Sequence, residues 1–335
     1  MNFRMPAEWE LHERCLMAWT GAEKWGKHLE AARSNYAEVA NAIAAFEPLT
    51  MMVNAEDLAG ARRALTSDIE ILEMPFEYAW TRDSGPIVVV DEKGNRAGVD
   101  FRFNSWGEKF VPYEQTAASA EAVLGTLGIE RIESPMVLEG GAITVDGQGT
   151  LITTEQCLLN ANRNPEMPRE EIEQELGSKL GIEKIIWLPW GITDDWVTDG
   201  HVDAVCTFVR PGVVLAQTCD DPADPDYERL AANLEMLRET TDATGRSFDV
   251  IELPPMPSDE LGGEVVPTIY ANIYIANGGV VVPIGESPSD EDAIAILEEA
   301  FSDREVVGVS GTALSFGGGG PHCVTMQIPA GRHVP

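Results

Sequence analysis

The chain has 335 residues, 44% of them hydrophobic, and a formal net charge of −33. That composition is globular and the length allows a sizeable core, while the acidity argues against a basic face for nucleic acid. No apolar run approaches the roughly 20 residues that cross a bilayer, and "MNFRMPAEWELHERC" has no apolar leader segment, so a soluble, cytoplasmic protein without membrane partners is expected.

Taken in chain order, two kinds of segment alternate. "ERCLMAWT" (13–20) and "EPLTMMVN" (47–54) read as strands that form an early hairpin-like unit around the alanine-rich helix "KHLEAARSNYAEVANAIAAF" (27–46). "RDSGPIVVVDEKGNRAGVDF" (82–101) is a hairpin turned at its Lys-Gly-Asn, followed by the helix "EQTAASAEAVLGTLG" (114–128) with a terminal glycine cap. "EGGAITVDGQGTLITT" (139–154) is the next hairpin. The helix "MPREEIEQELGSKLG" (167–181) follows, opened by Pro168 and an acidic first turn. "GHVDAVCTFVRPGVVLAQ" (200–217) and the helix in "DPDYERLAANLEMLRETTDAT" (224–244) repeat the pattern. "PPMPSDELGGEVVP" (254–267) reads as a long surface loop. "NIYIANGGVVVPIG" (272–285) and "SDEDAIAILEEAF" (289–301) form a further hairpin and helix, and "GGGGPHCVTMQIPA" (317–330) begins a last strand that runs out of sequence. The expected fold class is α/β, built from pseudo-repeats in one domain spanning 1–335.

Reactive side chains stand at or near the starts of these strands: Asp83, Glu139, His201 with Asp203, and Cys323. In a pseudo-symmetric ring such positions converge on the axis. His201 and Asp203, two apart on a predicted strand, share one polar face in an otherwise apolar stretch, a costly arrangement unless it is satisfied or working. Each residue also has a plain reading: Asp83 as a turn former before Ser-Gly-Pro, Glu139 as a solvated strand end, Cys323 as a buried small hydrophobe. Cys157, Cys206 and Cys219 read as ordinary cysteines in strand or strand-end contexts, and neither paired cysteines nor an HExxH pair suggests a metal. As a set, cysteine plus histidine points to covalent catalysis by a thiolate. Several carboxylates point to a cationic ligand, and a planar guanidinium suits them best. A cysteine protease and a non-catalytic binder of cations are the rival classes.

"MPAEWELHE", "WTRDSGP", "VLEGGAI", "CLLNANRNP", "TDGHVDAVCTFVRPG", "NIYIANGGVVVP" and "GGGGPHCVTMQIP", in this order from near residue 5 to near residue 330, resemble the agmatine deiminases of the guanidino-modifying superfamily. The resemblance implies a five-bladed β/α-propeller, the pentein fold. It implies Cys323 as nucleophile, His201 as general acid and base, Asp83 and Asp203 as the grip on the guanidinium, and Glu139 as support for His201. Trp80 would line the substrate channel. The expected reaction converts agmatine to N-carbamoylputrescine and ammonia through an amidino-cysteine intermediate, with no cofactor or metal. Arginine, peptidyl-arginine or another guanidino compound is the alternative substrate, with Arg163 or Arg82 available for an α-carboxylate. Asp194, Asp195 and Asp199 stand near His201 as candidates for the distal amine. A homo-oligomer is left open. The glycines before Cys323 are expected to form a flexible, side-chain-free approach, and His322 to point away from Cys323.

Overall fold

A computed structural model describes residues 3–21, 25–193 and 195–331. Among them, five mixed sheets share one plan: two antiparallel strands, then a helix, then a strand parallel to the second. Ile87–Asp91 and Arg96–Arg102 pair antiparallel, the helix Ser119–Leu127 crosses over, and Glu130–Val137 pairs parallel with Arg96–Arg102. Ile143–Val145, Thr150–Thr154, the helix Arg169–Leu180 and Lys184–Leu188 repeat this. So do Cys206–Arg210, Val213–Ala216, Asp226–Glu239 and Asp249–Glu252. So, too, do Tyr274–Ala276, Gly279–Ile284, Ser289–Ala300 and Glu305–Ser310. The four hairpins and their helices therefore stand where periodicity and turn chemistry put them. Gly128 and Gly181 end their helices in the left-handed conformation, at φ 65° and 71°.

The fifth unit differs from its sequence reading. "ERCLMAWT" and "EPLTMMVN" do not form a hairpin: His12–Ala18 and Leu49–Val53 are parallel, joined through the helix Leu29–Ala44. The antiparallel partner of His12–Ala18 is Thr325–Pro329. The late strand that seemed to run out is thus completed by an early one. Parallel pairing requires a crossover, which the intervening helix supplies. That helix buries Ala32, Tyr36, Val39, Ala40 and Ile43 at three-to-four spacing, and each fully buried Val or Ile contributes about 1.5–3 kcal/mol.

Two further expectations are corrected. Residues 254–267 are not a plain loop, because Ser258–Leu261 and Glu264–Pro267 pair as an antiparallel hairpin over a Gly-Gly turn. His201 and Asp203 are not on a strand: His201 precedes a 3-10 turn, Val202–Ala204, and the strand begins at Cys206. Their side chains still converge, through turn geometry rather than strand alternation.

Candidate active site

The loops ahead of the first strands of the five units come together. Asp83 sits on a single helical turn, Thr81–Ser84, that follows Trp80. Glu139 precedes the tight turn Gly140–Ala142. His201 and Asp203 flank Val202, and Cys323 lies two residues ahead of Thr325–Pro329. All five side chains are buried, and Glu139 is 0% exposed. Arg82 N–H donates to the Cys323 carbonyl (3.2 Å), and Gly141 N–H donates to Asp83 Oδ1 (3.2 Å), so backbone ties the first, second and fifth units together.

Cys323 Sγ lies 3.3 Å from Asp203 Oδ2 and 3.2 Å from Asn272 Nδ2. His201 lies between two carboxylates: Nδ1 is 3.8 Å from Asp83 Oδ1, and Nε2 is 3.8 Å from Glu139 Oε2. These are ion-pair separations, too long for hydrogen bonds. Both ring nitrogens and Glu139 Oε2 are buried without a hydrogen-bond partner. Such groups are rare in folded proteins.

The charges follow from this crowding. Burial works against a charged imidazole, but Asp83, with Cys157 and Glu139, carries the His201 pKa well above its ordinary value. Burial, reinforced by Asp203 and Glu139, pushes the Asp83 carboxyl up to about 6, against the pull of His201 and of the Trp106 N–H. Burial opposes ionisation of Glu139, yet the Arg163 guanidinium and His201 hold its carboxyl below the usual range. Burial likewise opposes Asp203, and His322, then His201, keep it ionised. Cys323 moves the other way: burial, then the Asp203 and Asp83 carboxylates, raise its thiol well above the ordinary value.

Gly141 stands at the centre of this arrangement. A Cβ there would lie 2.6 Å from His201 Nδ1 and 2.9 Å from both Asp203 Oδ2 and Asp83 Oδ1. Only a residue without a side chain leaves the three groups in place. Of the four glycines before Cys323, Gly317, Gly319 and Gly320 are buried and closely packed, while Gly318 is exposed. A Cβ at Gly319 would meet Trp80 at 2.6 Å and Cys323 Sγ at 3.0 Å. Trp80 itself is buried, adjoins Trp25 and Tyr36, and lines a cavity of about 470 Å³ with Thr20, Glu56 and Asp57.

Several site residues escaped sequence reasoning. Trp106 donates its indole N–H to Asp83 Oδ2 at 2.9 Å. It belongs to a run, Ser105 to Glu108, in which every φ is positive, a conformation that costs non-glycine residues of order 1–3 kcal/mol each. Asn272 stands two residues ahead of the fourth hairpin, where the other units carry their reactive groups, and that position was the available signal. His322 does not turn away from the site: Nδ1 is 2.9 Å from Asp203 Oδ2, and Nε2 is 2.9 Å from Glu8 Oε1. The alternation argument failed because residues 321–324 form a turn, not a strand. Glu8 also pairs with Arg82 (3.0 Å); it lies within the MPAEWELHE motif, but nothing there set it apart from the neighbouring acids.

Arg163 and Arg82 are both buried and engaged, Arg163 with Glu139 and Asp199 at 2.7 Å each, Arg82 with Glu8. Asp199 pairs with Lys109 and Arg163, and Asp195 binds Thr198, Gly200 N and His201 N, so both shape the loop that presents His201. Asp194 lies outside the described residues.

Residues 4–329 match the family described as Porphyromonas-type peptidyl-arginine deiminases. An agmatine deiminase of Pseudomonas aeruginosa (strain LESB58) is 43% identical over 99% of this chain and 96% of its own length. The chain belongs to the agmatine deiminase family. The solved agmatine deiminase of Enterococcus faecalis superposes with a TM-score of 0.94 at 34% identity, over 98% of this deiminase and 96% of that chain. A DDAH of Pseudomonas aeruginosa, at 14% identity and a TM-score of 0.53 over 95% of this chain and 100% of its own, has the same α/β pentein fold.

Proposed function

We propose that this chain hydrolyses agmatine to N-carbamoylputrescine and ammonia, acting on the C–N bond of a linear amidine. The observation that carries the proposal is the convergence of a cysteine, a histidine and three carboxylates around the space beside Gly141. Free arginine is the weaker alternative, because both candidate arginines for its α-carboxylate are already buried and paired. We read residues 1–335 as one domain and the five units as blades of a propeller, since a ring explains why loops from every unit meet.

Asp83 and Asp203 grip the guanidinium and hold its carbon near Cys323 Sγ, which supplies proximity and orientation. In the free enzyme the thiol keeps its proton, because burial and the two carboxylates disfavour a thiolate. The docked cation reverses that field, so the thiol gives up its proton to solvent as substrate arrives and the nucleophile forms. The thiolate adds to the carbon and gives a neutral tetrahedral adduct. His201, charged between Asp83 and Glu139, protonates one amino group, and ammonia leaves. The S-alkylthiouronium that remains is attacked by a water from which neutral His201 takes a proton. Collapse expels Cys323 as a thiolate and releases the urea; the hydroxyl proton ends on ammonia as ammonium, and the thiolate takes a proton back from solvent as the product leaves. Glu139 holds the imidazole from behind, itself held by Arg163 Nε at 2.7 Å.

The test is a substrate panel of agmatine, arginine and an arginyl peptide, with ammonia and the ureido product both measured. Turnover of agmatine that disappears in Cys323→Ser, with an unchanged circular-dichroism spectrum, is the expected result. Arginine turnover without agmatine turnover overturns the substrate, and an active Cys323→Ser overturns the covalent route.

A further inference from the structure

One buried thiol at the site has no part in this chemistry. Cys157 lies on the short helix Glu155–Leu158, whose start is fixed by Cys157 N–H donating to Thr154 Oγ1 at 3.2 Å. Its Sγ, a carboxylate oxygen of Glu139 and a ring nitrogen of His201 all lie within 4.8 Å of one another, and all three residues are buried. We propose that Glu139, Cys157 and His201 form an inhibitory site for a thiophilic divalent cation, zinc above all.

The donor set is one sulfur, one nitrogen and one oxygen, which suits zinc and not magnesium or calcium. Zinc bonds of about 2.0–2.3 Å at tetrahedral angles set donor atoms about 3.3–3.7 Å apart. His201 Nε2 and Glu139 Oε2 are already 3.8 Å apart. Neither atom has another protein group at hydrogen-bond distance among the described residues. Glu139 keeps its other oxygen on Arg163, which orients the carboxylate as an outer-shell partner does.

Cys157 is a free, buried thiol. Binding requires a deprotonated sulfur and a neutral imidazole, so it releases protons from these ligands. Arg163 opposes the cation, but Asp199 also pairs with it and dilutes that opposition. Occupation ties up one ring nitrogen, so the imidazole can no longer gain and return a proton there. The inhibitory consequence rests on the reading of His201 given above; the binding does not.

The experiment titrates chelator-stripped protein with zinc against a chromophoric competitor, and with cobalt to look for a thiolate charge-transfer band. Wild type and Cys323→Ser should each bind one tight equivalent, show the band and release protons, with affinity rising as pH rises. Cys157→Ser, with Cys157→Ala as a second probe, should bind about 100-fold more weakly and lack the band. Agmatine turnover of the wild type should fall in step with occupancy and return on chelation. Each Cys157 variant, referred to its own metal-free rate, should resist the same zinc concentration. Binding that survives in both Cys157 variants but vanishes in Cys323→Ser, or no stoichiometric binding, overturns the site. Binding as described in a protein that does not turn over agmatine leaves the site standing and removes the proposed function instead.

Discussion

Replacing Trp106 with phenylalanine tests how the site keeps Asp83 charged. The indole N–H is a donor to Asp83 Oδ2 at 2.9 Å, in a buried place where that carboxyl already stands at about 6. A hydrogen bond to a charged group is worth about 1.5–3 kcal/mol. At 1.36 kcal/mol per tenfold change in proton affinity, its loss moves the titration of Asp83 upward by about 1–2 pH units. The donor favours the ionised form, so removing it favours the protonated form, and a protonated Asp83 cannot grip a cation. The acid limb of kcat/KM, which reports the free enzyme, should move up by that amount. At pH 7 the wild-type group is about nine-tenths ionised; after a shift of about 1.5 it is roughly one-quarter ionised, a loss of about fourfold that is recovered by pH 9. The assay is ammonia release from agmatine between pH 5 and 9. If the plateau falls at every pH while the limb stays in place, Trp106 is packing only. If the limb moves down, the assignment of Asp83 to it is wrong.

Gly141→Ala would set a methyl 2.6 Å from His201 Nδ1. We expect a folded protein by circular dichroism and a loss of about 100-fold or more in kcat/KM, and near-normal activity would refute the placement of the three groups around that residue. Asp83→Asn should destroy turnover yet stabilise the fold. A carboxyl whose ordinary value is 3.8 stands at about 6 when folded, so keeping it ionised costs the native state up to about 3 kcal/mol above pH 6 and nothing below pH 4. Urea unfolding should show the variant's advantage at pH 8 and its disappearance near pH 4; an advantage independent of pH would place the strain elsewhere.

Much of this molecule was readable before any coordinate, and the reason is local. Hairpin turns such as Lys-Gly-Asn and Arg-Pro-Gly, and helices with apolar residues at three-to-four spacing, are decided by neighbours in sequence. The reactive residues were visible because they recur at one position of a repeating unit. What stayed hidden is what depends on the third dimension. Thr325–Pro329 pairs with a strand some three hundred residues earlier, so neither strand carries a sign of the other. The indole of Trp106, the carboxylate of Glu8 and the ring of His322 act through contacts between units, which no local period encodes. His201 and Asp203 were placed on the right surface for the wrong reason, a strand where the chain makes a turn.

The pairing of Thr325–Pro329 with His12–Ala18 bears on the order in which activity can arise. Cys323 is anchored by that strand and by Asn272, while Arg82 reads its carbonyl. Every other reactive residue belongs to a unit that is local in sequence, but the sulfur comes into position only when a very early and a very late segment meet. Such distant contacts form slowly, because the chain loses its entropy before the contact rewards it. Turnover is therefore a reporter of that long-range contact. A refolding experiment followed by ammonia release would lag one followed by the signals of the individual helices, and the lag would measure the closing of the fifth unit.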